Sequence, residues 1–180
     1  MDRKLEFLKS LISLITTFLI TAFVVLFINT YILIINANVP TSSMYPTISA
    51  GDHLMGNRLS YIAETPKRYD IIIFEHPDGE RKLLIKRVIG LPGDEIDIRD
   101  GHVYINGEAA REEFCREESS TLRGDMEFPV TVPPGCYFCL GDNRTNSEDS
   151  RYWKNHFVEE DTIAAKALFC FYPFRSIKIF

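Results

Sequence analysis

Leu83-Leu84-Ile85-Lys86-Arg87-Val88-Ile89-Gly90-Leu91-Pro92-Gly93-Asp94-Glu95-Ile96-Asp97-Ile98-Arg99-Asp100-Gly101-His102-Val103-Tyr104-Ile105-Asn106-Gly107 is the stretch that decides the fold class. Three runs rich in β-branched residues are parted by Pro-Gly-Asp and Asp-Gly and closed by Asn-Gly. Dipeptides of this kind take the positive φ that tight turns between strands require. Outward from this stretch the pattern repeats. Strands are predicted at 70–75, 82–90, 95–99, 102–105, 130–132 and 136–140, with a last one within 162–172. The breaks among them include His76-Pro77-Asp78-Gly79 and Pro133-Pro134-Gly135. Helical periodicity is weak beyond the N-terminus. The predicted fold is therefore mostly β, an antiparallel sheet or barrel-like domain. Residues 106–130 are polar and poor in apolar side chains, and read as a variable excursion from the main sheet.

The N-terminus differs. No charged residue occurs from Leu11 to Ile35. A helix of that length would reach about 37 Å, enough for a hydrocarbon core of about 30 Å. A cleavable secretory signal also begins with a basic region, but its apolar segment is only about 7–15 residues long and is followed by a small-x-small site. The run here is longer and ends in Tyr31-Ile32-Leu33-Ile34-Ile35. The expected organisation is a cytoplasmic segment at 1–9, a transmembrane anchor at 10–36 and a β-rich domain at 37–180. Arg3, Lys4 and Lys9 precede the span, and no Lys or Arg follows until Arg58. The positive-inside bias then keeps the N-terminus cytoplasmic and sends the β domain across the membrane.

At 180 residues there is room for one ordinary domain plus an anchor. Composition, 46% hydrophobic and 25% charged, argues against wholesale disorder. A net charge of -5 with no dominant basic patch argues against nucleic acid as a partner. Four cysteines are too few and too scattered for a disulfide scaffold. Cys136 and Cys139 form a CxxC, but in an apolar strand positions i and i+3 face opposite ways. No second pair completes a metal set, so core packing is the reading for both, and no metal or other cofactor is expected.

Three segments could carry chemistry. Pro40-Thr41-Ser42-Ser43-Met44-Tyr45-Pro46-Thr47 follows the apolar run closely, and its two prolines hold it out of helix. Taken alone it is a polar linker. Lys86 and Arg87 are neighbours in an alternating strand, so they point to opposite faces and one should lie against apolar material. A buried lysine loses its charge readily whereas arginine does not, which makes Lys86 a plausible base. Residues 141–151, Gly-Asp-Asn-Arg-Thr-Asn-Ser-Glu-Asp-Ser-Arg, form a polar loop directly after an apolar strand, with more hydrogen-bonding groups than a turn needs.

In order and wording these segments resemble the boxes of bacterial type I signal peptidases of the Ser/Lys kind. The family's Pro-Ser-x-Ser-Met-x-Pro-Thr-Leu box corresponds to Pro40 through Ile48, and its Gly-Asp box to Gly51-Asp52. Its Lys-Arg-x-x-Gly-x-Pro-Gly-Asp box corresponds to Lys86 through Asp94, and its last box to Gly141 through Arg151. The resemblance implies Ser43 as nucleophile and Lys86 as general base, with Thr41 and the Ser43 amide forming the oxyanion hole. It also implies that Ser147 orients the Lys86 amine, and that Asp142, Asp149 and Arg151 build the loop network. By motif position, Val39, Met44, Ile48, Leu84, Ile85 and Leu140 would wall the substrate pocket. Two departures stand out: the family's first-box serine is Thr41 here, which keeps a hydroxyl, and a box carboxylate is replaced by Thr145.

The implied function is removal of signal peptides from exported preproteins after a small-x-small motif, through an acyl-enzyme. The implied partners are preprotein signal peptides, the lipid bilayer and, at a further remove, the secretion translocon. A relative with a narrow substrate set and a catalytically silent preprotein-binding protein are the alternatives. A Ser-His-Asp triad built on His53, His76, His102 or His156 has no box-like context. A self-cleaving repressor would carry a DNA-binding domain where this chain has its apolar run. Ser43 lies eight residues after Ile35, so an extended linker holds it within about 28 Å of the span's end.

Overall fold

The computed structural model describes residues 2–28, 34–62, 64–116 and 120–180. Helix α1 (Asp2–Ile28) contains an apolar stretch, Leu5–Ile28, long enough to cross a membrane and not covered by the rest of the chain. The strands that follow are β1 (Ile34–Asn38), β2 (His53–Asn57), β3 (Ile71–Glu75), β4 (Leu83–Gly90), β5 (Glu95–Arg99) and β6 (His102–Ile105). They continue as β7 (Glu108–Ala109), β8 (Val130–Thr131), β9 (Cys136–Leu140), β10 (Val158–Glu159), β11 (Ile163–Tyr172) and β12 (Lys178–Ile179). All pair antiparallel, as expected of the mostly β class.

Two sheets result. The larger runs β1-β2-β11-β3-β4-β9-β10, with β12 beside β11, and the smaller runs β7-β6-β5-β8. Turn chemistry sets the smaller one. Asp100 and Gly101 have φ of 52° and 82° between the paired Arg99 and His102. Asn106 and Gly107 have φ of 52° and 84° between the paired Ile105 and Glu108. Each is a two-residue hairpin turn with positive φ at both positions, the geometry that matches strand twist. Ile89, Ile96, Val103, Val132, Phe138 and Leu140 fill the core where β4 and β9 meet the smaller sheet.

Five of the described strands, β1, β2, β7, β10 and β12, lie where the sequence does not predict them. Ile34 to Asn36, assigned by hydropathy to the anchor at 10–36, belong to β1, which pairs with β2 from Ile34↔Asn57 to Asn38↔His53. Apolar β-branched residues suit a lipid-facing helix and a strand equally well, and hydropathy alone does not separate the two. Residues 29–33 lie outside the described residues. The excursion read at 106–130 opens and closes with β7 and β8, and its polar middle folds back onto the loop after β9. Arg144 bonds to Glu112 and to Thr121 Oγ1, and Arg151 donates to the Leu122 carbonyl at 3.2 Å.

Candidate active site

Lys86 sits midway along β4, paired with Ile72 of β3. Strand alternation sends it and Arg87 to opposite faces, and both are buried, at 3% and 8% exposure. Lys86 Nζ lies 2.6 Å from Ser43 Oγ. A protonated amine donates across that gap, while a neutral one accepts the serine proton. Burial pushes the Lys86 ammonium down from 10.5 to about 8, against the pull of nearby Asp149 and Glu148. Desolvation wins because the amine's nearest partner is a neutral hydroxyl. Thr41 Oγ1 lies 3.4 Å from Ser43 Oγ on its other side. Among the described residues no histidine bonds to Ser43.

The turn carrying Ser43 is held from the loop after β9. Asn143 N–H donates to the Ser43 carbonyl at 3.0 Å, and Asn143 Nδ2 to the Ser42 carbonyl at 3.0 Å. Asn146 Nδ2 donates to Ser42 Oγ at 3.1 Å. Sequence reasoning assigned neither asparagine a role. Their contacts join positions about a hundred residues apart, and no spacing rule reports such a pairing. Gly141 is fixed by crowding, since a Cβ there would meet both Ser147 Oγ and the Ser43 carbonyl oxygen.

Two bidentate ion pairs stiffen this loop, beside the pairing of Arg144 with Glu112. Asp142 binds Arg87 through both oxygens, at 2.8 and 2.6 Å, with the guanidinium stacked 4.1 Å from the Phe114 ring centroid. Asp149 binds Arg151 the same way, at 2.7 and 2.8 Å, and accepts the Gly141 N–H at 3.0 Å. Paired carboxylates and guanidinia of this geometry tolerate burial because each satisfies the other. Thr145 is exposed and its hydroxyl bonds to Asn143 Oδ1. The carboxylate missing there would lie at the solvent edge of the network.

Ser147 departs from expectation. Its Oγ is buried against Gly141 and has no hydrogen-bond partner among the described residues. The Lys86 amine is engaged by Ser43 rather than by Ser147. A cleft of about 630 Å³ opens beside Ser43 and Lys86, and Val39, Met44, Leu84 and Ile85 are among the residues that line it. Ile48 and Leu140 do not line it. Ile48 is packed with Leu54, Ile71 and Cys170, and Leu140 with Ile89 and Phe138, so both are core residues. On the β9 side, β4 is paired only from Arg87 onward, which leaves residues 83–86 a free backbone edge facing this cleft.

The family described as "Signal peptidase, peptidase S26" matches residues 11–172. Signal peptidase I of Bacillus caldolyticus is 38% identical over 150 residues, 78% of this chain and 80% of that protein. Signal peptidase I T of Bacillus subtilis is 39% identical over 147 residues, 76% of this chain and 73% of that protein. A probable signal peptidase I-2 of Synechocystis is 38% identical over 140 residues, 75% of this chain but 62% of that longer protein. A crystal structure of a signal peptidase I from Enterococcus faecalis overlaps 57% of this chain and 97% of that one, at 34% identity and TM-score 0.49. The chain belongs to the signal peptidase family, peptidase S26, whose members are serine endopeptidases.

Proposed function

We propose that this chain is a membrane-bound endopeptidase that removes N-terminal signal peptides from exported preproteins after a small-x-small motif. The 2.6 Å approach of Lys86 Nζ to Ser43 Oγ carries the reading. Serine needs a base within hydrogen-bond reach, and a lysine serves only when its pKa falls towards working pH. Neutral Lys86 takes the Ser43 proton as Oγ attacks the scissile carbonyl carbon. The negative charge on the carbonyl oxygen is met by the Ser43 amide and the Thr41 hydroxyl, positioned before the reaction begins. Lys86 then returns the proton to the leaving amine, which frees the mature chain and leaves an acyl group on Ser43. A water that gives its proton to Lys86 hydrolyses that ester and restores the dyad.

The substrate adds as an extended segment along the free edge at 83–86, with backbone hydrogen bonds supplying affinity. Val39, Met44, Leu84 and Ile85 leave shallow apolar recesses suited to small side chains. The N-terminus is cytoplasmic and the β domain lies across the membrane, consistent with the basic residues before the span. Six residue steps from Ile28 to Ile34 keep the sheet within about 21 Å of the helix end, so the cleft meets chains leaving the bilayer. Proximity to the secretion translocon follows from the same placement.

Full-length protein in detergent, given a preprotein with an Ala-x-Ala site, should release a product whose new N-terminus begins directly after that site. Ser43→Ala and Lys86→Ala should each abolish conversion. Failure to cut the generic preprotein would favour the narrow-substrate relative. Unchanged cleavage by Ser43→Ala would remove the catalytic assignment.

A further inference from the structure

We propose that Glu148 is a specificity-determining residue that favours a lysine or arginine close to the scissile bond and disfavours aspartate or glutamate there. This inference rests on the peptidase reading and adds the charge class of the substrate.

Beyond Lys86 and His76, the described residues lining the cleft beside Ser43 include one further basic and one acidic side chain, Lys82 and Glu148. Lys82 is neutralised within the protein, because its Nζ lies 2.6 Å from Glu80 Oε2. Glu148 is exposed and, among the described residues, makes no ion pair. Lys86 must be neutral when it acts as base. Among the described residues, the cleft that receives substrate in the working form therefore keeps one acidic side chain without an ion-pair partner, Glu148.

Its position brings it within reach of the reacting segment. Ser147 Oγ packs against Gly141 beside the Ser43 carbonyl, and Glu148 is the next residue, one Cα step of about 3.8 Å further on. An extended substrate advances about 3.3 Å per residue, so the carboxylate faces side chains within about three residues of the scissile bond. The loop bearing it is anchored on both sides by the buried Asp142–Arg87 and Asp149–Arg151 pairs. In a cleft whose other lining groups are uncharged side chains, the dyad lysine and the paired Lys82, that carboxylate attracts a cation and repels an anion. The acids Asp142 and Asp149 cannot do so, since each is fully buried against its own arginine.

The test is a set of peptides sharing an Ala-x-Ala site, with Lys, Gln or Glu placed in turn at each position within four residues of the bond, other than the two small ones. The ratio of kcat/KM for the Lys peptide to that for the Glu peptide is measured in full-length wild type, Glu148→Gln and Glu148→Lys. Taking the ratio within each enzyme cancels any effect of Glu148 on the protonation of Lys86. At one or two neighbouring positions wild type should prefer Lys by roughly fivefold at low salt, the size of an exposed charge contact made attractive rather than repulsive. The preference should shrink in half-molar salt, fall to about unity in Glu148→Gln and invert in Glu148→Lys. A ratio within twofold at every position in wild type, or one that Glu148→Gln leaves unchanged, overturns the proposal while the peptidase reading stands. No cleavage of the Gln peptides by wild type would sink that reading and this proposal with it.

Discussion

Lys86 is the residue at which stability and activity pull against each other. An ammonium held in a buried strand is destabilising whenever the unfolded chain would keep it hydrated. Its pKa of about 8, against 10.5 when unfolded, corresponds to a penalty of about 3 kcal/mol. Below pH 8 the group is protonated in both states and the full penalty applies. Between 8 and 10.5 the unfolded chain holds the extra proton, so stability rises with pH, and above 10.5 the penalty is gone. Lys86→Met should therefore be more stable than wild type at pH 7 by up to about 3 kcal/mol, with the gain vanishing near pH 10.5. Urea unfolding at the two pH values checks this. Equal stability at pH 7 would mean that the amine is better solvated than its 3% exposure implies.

At the scale of elements, the loop after β9 supports the site, and its order comes from buried charge. Asp149→Asn leaves Arg151 buried without its counter-ion and weakens the acceptor for the Gly141 N–H. It should destabilise the fold by roughly 3–5 kcal/mol, read as a lower denaturant midpoint. A loss below 1 kcal/mol would show that the pair is not needed to hold the loop. The sequence made this loop legible as a polar block, and it also showed the strands whose ends carry Asp-Gly, Asn-Gly or Pro-Gly. It did not show β1 or β2. Ile34-Ile35-Asn36-Ala37-Asn38 is half hidden in an apolar run, and His53-Leu54-Met55-Gly56-Asn57 is poor in strand-forming residues. Both are held by pairing with distant strands rather than by local preference. Ile48 and Leu140 were misplaced for a related reason: apolar type reports burial without telling a cleft wall from a core. Asn143, Asn146 and Glu112 escaped notice because their partners are remote in sequence.

At the scale of the whole molecule, one helix and one β domain divide anchoring from chemistry. The cleft lies in the sheet that begins at Ile34, six residues after the helix ends. On the proposed orientation, protease added outside intact spheroplasts should digest the β domain and leave a membrane-held fragment containing Leu5–Ile28. Digestion only after lysis would reverse the orientation.

In the proposed mechanism Ser43 is activated by a lysine whose charge is suppressed by burial. The most direct measurement is log kcat/KM against pH for the full-length wild type on one Ala-x-Ala peptide free of titrating groups. Lys86 as base predicts a rise of about tenfold per pH unit at low pH, bending near pH 8 to a plateau. A profile flat from pH 6 to 9, or a maximum near pH 5, would contradict it.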